Sequence, residues 1–370
     1  MKRFAPFLCI LLAAFLVAAP FWLPGLLRRT PEYETLTQPD RGPGVVLELW
    51  QVHGWEAGSS DRSLWLQRRG DEYHELTPGV FVRVVSMSVE MAREKMADPA
   101  AWAKCDLISF PSGLFDNPEQ MLMPLAEPAG LREELVASAR LGEGLYAYPY
   151  QMGASVMLYN SAKVTPPEDG EAAGYLAQGD VLCAQFAHQL RWGGLCPVDD
   201  PGSLPESSLS KWRALTNRLA LTDFRAGNTP MMVGSVWEVQ RMLNPPAKVV
   251  TNVQWDIAPL RREGQVFVDQ VQYMGIRQGV TGEALTHAQA FVNSLIGEET
   301  QMRNAALSVL PARTGLTLYA GQEGMEAVEQ AMAGALNVPN AYRWTQQRQD
   351  AAGRIAPLID AASAAGEKDG

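Results

Sequence analysis

The chain is poor in the residues that hold metals, with four histidines and four cysteines among 370 residues. None of them stands at metal-ligand spacing, which argues against a structural zinc site. Basic residues are scarce where a nucleic-acid partner would need them. The first 29 residues hold four of the 31 Lys and Arg and no acid, so the remainder sets 27 basic against 41 acidic side chains, a formal charge of −14. That balance excludes a phosphate backbone as partner. A nucleophile elbow, a Walker-type phosphate loop, an HExxH pair and a glycine fingerprint after a strand are also missing. Carboxylates are frequent without forming a recognisable glycosidase pair. No catalytic set emerges, and neither an enzyme nor a cofactor is expected.

What the chain does have begins with a hydrophobic amino terminus. Lys2 and Arg3 precede an uncharged stretch from Phe4 to Leu27, closed by Arg28 and Arg29. Because about 20 apolar helical residues cross a bilayer, residues 1–29 are expected to act as a signal peptide or a membrane anchor. Val17, Ala18 and Ala19 suit signal peptidase, whereas Pro20 disfavours cleavage, so both fates stay open. The expectation is an exported protein, anchored at the cell surface or free in a periplasmic or extracellular space. Cys9 lacks the small preceding residue of a lipid-attachment site. Cys183 and Cys196 are close enough in sequence to form a disulfide in an oxidising compartment, or to stay as two reduced thiols. Residues 30–44, with Pro31, Pro39 and Pro43, read as a linker.

From Val45 the pattern is that of alternating strands and helices. Val45, Val46, Leu47 and Leu49 form a short β-branched run bounded by glycines, and Trp50, Gln51, His53 and Trp55 follow at its carboxyl end. In open α/β sheets that end is where ligands sit. Asp61 can cap a helix over 61–77, with Leu66, Tyr73 and Leu76 near one face and Arg68, Arg69, Asp71 and Glu72 wet. Val80, Val82 and Val84 then alternate as a second strand, so a right-handed βαβ unit with parallel strands is expected. A helix from Val89 to about Met96, a third strand from Cys105 to Phe110 ending in Pro111, Ser112 and Gly113, and a strand from Val156 to Asn160 continue the series. Between them, the tyrosine-rich segment from Gly142 to Gln151 marks an edge strand or a hinge.

The ordered set of Leu49-Trp50 with His53-Gly54, the helix end Thr77 to Val80, the segments Asp106 to Gly113 and Gly144 to Tyr150, and Leu158 to Asn160 resembles the extracellular solute-binding protein family of ABC importers, in its carbohydrate-uptake branch. Met232 to Trp237, Trp255 to Leu260, Ala288 to Leu295 and Leu310 to Arg313 are similar to later pieces of that family, so the resemblance spans roughly residues 45 to 315. Residues 165–229 match no part of it. The resemblance implies an α/β, two-lobed periplasmic-binding-protein fold (type II), each lobe a mixed sheet flanked by helices, after an N-terminal hydrophobic helix. Residues 45–150 would open lobe 1, 151–270 would form mainly lobe 2, 271–315 would return to lobe 1 through a hinge, and 316–370 would be a C-terminal helical part. It further implies capture of a small-molecule solute, a sugar or oligosaccharide, in the inter-lobe cleft. The protein would work as a monomer and deliver the solute to the membrane subunits of an ABC importer. A ligand-sensing partner of a membrane receptor, or a binder of a non-sugar solute, would share this fold and cleft.

Sugar recognition needs aromatic faces and fixed polar groups. Trp50, His53 and Trp55 in the first loop, Ser109, Ser112 and Gly113 in the second, and Tyr150 and Gln151 at a lobe crossing are candidate contacts, each weighed against an ordinary place in the core or surface. Trp50 is the most core-like of them. Ser235 and Glu238 have capping-box spacing, so a helix should start beside Gly234, with free amides and Trp237 in its first turn. Thr286 and Gln289 repeat that spacing on a later helix, where Phe291 and Leu295 look like core residues. Tyr273 and Arg313 complete the candidate set.

Overall fold

Val45–His53 (β1) is a central strand, with Leu47, Leu49, Trp50 and Val52 all buried. The computed structural model describes residues 44–169, 217–247, 249–262 and 264–346. The hydrophobic amino terminus, the linker and the Cys183–Cys196 pair lie outside the described residues. β1 pairs in parallel with Val80–Ser88 (β2), Val45 opposite Val80, and with Leu107–Pro111 (β3), Leu49 opposite Leu107. The crossover between β1 and β2 is the helix Arg62–Leu76 (α1), and Val89–Ala97 (α2) follows β2. The expected βαβ unit is therefore present.

After a small hairpin, Arg140–Leu141 (β4) with Gly144–Leu145 (β5), the chain enters Tyr148–Met152 (β6) and then Ser155–Asn160 (β7). β7 is the middle strand of a second sheet, antiparallel to both Met231–Ser235 (β8) and Trp255–Pro259 (β9). Two helices belong to that sheet: Asn217–Ala226 (α3) packs near β8, and Val236–Leu243 (α4) follows directly from it. Arg261–Arg262 (β10) and Gln265–Phe267 (β11) lead back into Val271–Ile276 (β12), which lies between β3 and β6. Gly282–Leu295 (α5) packs on β1 and β12, with Phe291, Val292 and Leu295 buried. Each such side chain contributes about 1.5–3 kcal/mol on burial. Leu310–Pro311 (β13) completes the first sheet, whose order is β13-β6-β12-β3-β1-β2. Met325–Ala331 (α6) returns to the second sheet and packs on β9, and Leu336–Asn337 (β14) pairs with β11.

The chain thus crosses between sheets at Gly153 and Ala154, and comes back through Val268 to Gln270. The amide of Gly153 donates to the carbonyl of Gln270 at 2.7 Å, so the two crossings run side by side. The tyrosine-rich segment ends in β6, an interior strand of the first sheet rather than an edge.

Two helix expectations need correction. In α1 the buried stripe is Arg62, Trp65, Leu66, Arg69 and Gly70, while Leu76 is 84% exposed. The helix is turned so that Gly70 meets β2, where an added Cβ would lie 2.8 Å from Val82 Cβ. Arg69 is drawn in with it, over the Trp65 ring at 5.3 Å and on Glu72 at 2.8 Å. Thr286 does not start a helix, because α5 begins at Gly282 behind Thr281 and the Thr286 hydroxyl bonds back to the Gly282 carbonyl at 3.4 Å.

The α1 to β2 contact leaves no room for a side chain at Gly70. Gly70→Val is expected to lower the unfolding free energy by about 1–3 kcal/mol through overpacking, measured as a fall in the urea midpoint. An unchanged midpoint would mean that α1 does not approach β2 this closely.

Candidate functional site

Beyond the carboxyl end of β1 the chain runs through a loop to Asp61, whose carboxylate caps α1 by accepting the Ser63 amide at 2.7 Å. This loop forms one wall of a cavity of about 540 Å³, lined by residues 53 and 55–62 on the first-sheet side. The opposite wall is supplied by Trp237 and Arg241, one turn apart on α4 of the second sheet. Both walls are built alike. Arg62 lies over the Trp55 ring at 4.2 Å, and Arg241 lies over the Trp237 ring at 4.0 Å, distances at which a guanidinium is held by the aromatic face.

Arg62 is 3% exposed, and what keeps it folded inward is a set of acceptors. Its Nε donates to Gln151 Oε1 at 2.8 Å and its Nη1 to the Trp55 carbonyl at 3.2 Å. Burial lowers its pKa below the ordinary arginine value, with Tyr150, Glu56 and Asp61 pulling the other way. Gln151 in turn donates to Asn304 Oδ1 at 3.0 Å, and the Tyr150 carbonyl takes bonds from Asn304 and Gln301. A polar layer therefore runs beneath the cavity, where the central strands end. Ser109 and the Tyr150 hydroxyl bond at 2.7 Å, and Gln272 donates both to Ser109 Oγ and to the Val52 carbonyl.

Of the candidates named from sequence, His53, Trp55 and Trp237 line this cavity. Ser235 stands at the start of α4, where its hydroxyl accepts the Trp237 amide at 3.2 Å and bonds to Glu238, whose carboxylate takes the Ser235 amide. The capping box therefore forms, and it occupies groups that were expected to be free for a solute. Gly234 is buried against Leu158, 2.7 Å from an added Cβ, so its smallness serves the packing of β8 on β7. Gln151 is fully buried and supports the cavity only through Arg62.

The remaining candidates lie elsewhere. Trp50 is 2% exposed, edge-on to Trp102 and bonded to Glu48 Oε1. Ser109 and Tyr150 are buried in the polar layer. Tyr273 is buried against Phe110, with its hydroxyl on Ser138. Ser112 is half-buried beside Gly113, and Gly113 is covered by the segment carrying Trp344 and Thr345, with its amide on the Ala341 carbonyl. Arg313 lines a different and larger cavity of about 900 Å³. Three of the charged groups of that cavity, Arg132, Arg313 and Glu329, are already held by backbone. Arg132 bonds the Met332 and Gly334 carbonyls, Arg313 those of Ala129 and Ile296, and Glu329 the Leu318 and Tyr319 amides.

Arg62 and Arg241 are the residues that sequence reasoning passed over. Their one signal was spacing: Arg62 directly follows the cap Asp61, and Arg241 follows Trp237 by four residues on α4.

With this geometry in hand, the fold can be placed. No family model matches the chain, and no curated protein matches its sequence. Solved structures do match. The GacH receptor of Streptomyces glaucescens GLA.O, studied unliganded and with acarbose, is 15% identical with TM-score 0.59, covering 88% of this chain and 98% of the receptor. A Thermus thermophilus maltotriose-binding protein is 16% identical with TM-score 0.53, covering 86% and 98%. Trichodesmium IdiA (FutA), in complex with iron and citrate, is 14% identical with TM-score 0.57, covering 85% and 99%. The chain has the two-lobed type II periplasmic-binding fold shared by these proteins.

The buried tyrosines of the polar layer carry a pH signature. Burial raises the Tyr150 pKa to about 12, against the pull of Arg62 and Ser109, and raises that of Tyr273 to about 12, against its bonds to Ser138 and Ser112. An unfolded tyrosine titrates near about 10. The native state therefore favours the neutral phenol, and this contribution is complete below about pH 10 and lost as pH rises towards about 12. Urea midpoints are expected to fall across that interval, and to fall less steeply in Tyr150→Phe. Parallel slopes in the two proteins would show that Tyr150 ionises as freely in the fold as out of it.

Proposed function

We propose that this protein is an extracellular solute-binding protein of an ABC importer in the carbohydrate-uptake class. The observation that carries the proposal is a single cavity with one wall from each sheet, each wall a tryptophan topped by an arginine. A solute touching both walls binds the closed arrangement better than an open one, and that difference in affinity is what shifts the population. In this reading residues 45–150 and 271–315 form one lobe and 151–270 mainly the other, with the paired crossings at Gly153 and Gln270 as the hinge. Residues 1–29 export or anchor the chain, and the closed form is what the importer's membrane subunits accept. His53, Trp55 and Trp237 are the contacts, the indole faces meeting the apolar faces of sugar rings. Sugar is favoured by the two tryptophans and by the saccharide ligands of the GacH receptor and the Thermus protein. A non-sugar solute is the second reading, because the Trichodesmium protein uses the same fold with iron and citrate.

A thermal-shift panel of mono- and oligosaccharides on the full chain is expected to contain a member that raises Tm by binding linkage. Trp237→Ala should weaken that member about tenfold, ~1.4 kcal/mol, with the apo Tm little changed. A flat response to every sugar would turn the assignment to the second reading, and unchanged affinity in Trp237→Ala would remove α4 from the site.

A further inference from the structure

The buried, unpartnered polar atoms of the cavity lining are one-sided. Among the described residues, three buried polar side-chain atoms of its lining have no partner: Arg62 Nη2, Trp55 Nε1 and Arg241 Nε. All three are donors. A guanidinium has no acceptor to offer and an indole has only its N–H. The unpartnered acceptors Gln51 Oε1, Gln270 Oε1 and Gln272 Oε1 belong to residues outside the lining. Sugar hydroxyls donate as well as accept, so a neutral saccharide could be matched here only by leaving the donors of its own hydroxyls to other groups. A ligand group that only accepts answers this surplus of donors.

From this we infer that the solute is an acidic saccharide, a uronic acid or its oligomer, whose carboxylate is gripped between Arg62 of one wall and Arg241 of the other. The inference rests on the solute-binding reading and narrows it. Arg62 cannot turn to water, since Gln151 and the Trp55 carbonyl hold it and it is 3% exposed. Its remaining donor is left for whatever enters, and a buried charged donor without an acceptor is expensive. Both guanidiniums are held close to their indole rings, at 4.2 Å and 4.0 Å, and a guanidinium is the side chain that matches a planar carboxylate with paired N–H donors. Two carboxylates also line the cavity. Asp61 Oδ1 accepts the Ser63 amide and Glu56 is exposed, and neither forms an ion pair with Arg62 or Arg241 among the described residues, although both act on Arg62 through their charge. With Arg62 and Arg241 they bring the formal charge of the lining to zero, so attraction of an anion rests on the local placement of the two guanidiniums and not on the net field.

The test is titration calorimetry on the full chain with digalacturonate, galacturonate, galactose 1-phosphate, galactose and maltotriose. Digalacturonate or galacturonate should bind, and the neutral sugars should bind at least about tenfold more weakly, the scale of one charge-assisted hydrogen bond. Arg241→Gln should lower uronate affinity at least about tenfold more than it lowers the affinity of any neutral sugar. Arg62→Lys, which keeps the charge and loses the planar fork, should do the same with the fold checked by its circular dichroism. Equal or tighter binding of maltotriose, reduced by Trp237→Ala but indifferent to Arg241→Gln, would overturn the acidic-sugar inference and leave the solute-binding reading in place. Tighter binding of galactose 1-phosphate would overturn the uronate assignment. Absence of binding by all five probes would overturn it together with the carbohydrate assignment.

Discussion

A buried arginine has to be answered by acceptors, and in this protein the answer to Arg62 organises the surroundings of the cleft. The guanidinium is held by the Gln151 side chain on β6, by the Trp55 carbonyl in the loop after β1 and by the Trp55 ring. Gln151 is fixed by Asn304, which also holds the Tyr150 carbonyl. One charge thereby ties together the loop, the start of α1, the strand that feeds the crossing to the second sheet, and the 3₁₀ turn at Arg303–Leu307. Removing any acceptor leaves a charged donor in a water-poor place, a defect that breaking a buried ionic contact typically values at several kcal/mol. The bonds of the polar layer therefore depend on one another, although Arg62 Nη2 and Gln272 Oε1 within it have no partner.

The second constraint is steric and sits at the crossing. An added Cβ on Gly153 would lie 2.3 Å from Gln270 Oε1 and 3.1 Å from Trp55 Cζ3. The two crossings and the cavity wall are consequently in contact at one glycine. Gly58 has a similar position at the far end of the loop, 2.7 Å from Ser308 Cβ and 2.9 Å from Gln240 Cγ once a Cβ is added. Here residues from both sheets meet across a glycine.

Much of the architecture could be read from the residues because the signals were local. The alternation of Val80, Val82 and Val84, the cap Asp61 and the box Ser235–Glu238 each act within a few residues, and each element appears where it was expected. The site was only half visible for the opposite reason. His53, Trp55 and Trp237 follow directly from strand ends and a helix start, whereas the place of Arg62 depends on Gln151, 89 residues away. Ser109, Tyr150, Gln151 and Tyr273 are polar residues near strand ends, which made them look like ligand contacts. Their partners, one another or Ser138, Gln272 and Asn304, come from elements far along the chain. Trp50 and Trp55 have similar sequence surroundings and opposite fates, because β1 runs on to His53 and encloses the first while the loop releases the second.

The loop that carries Trp55 is also bound along its length. The Ser59 amide donates to the Leu307 carbonyl at 3.1 Å, the Ser59 hydroxyl reaches the Ala306 carbonyl, and Ser308, held in the left-handed region at φ 50°, donates its hydroxyl to Ser59 Oγ. This makes the loop a fixed jaw rather than a lid. Its conformational entropy is lost when the chain folds, before any solute arrives, and association does not have to order it again. In the proposed solute-binding reading, capture is the docking of a small body onto a finished surface.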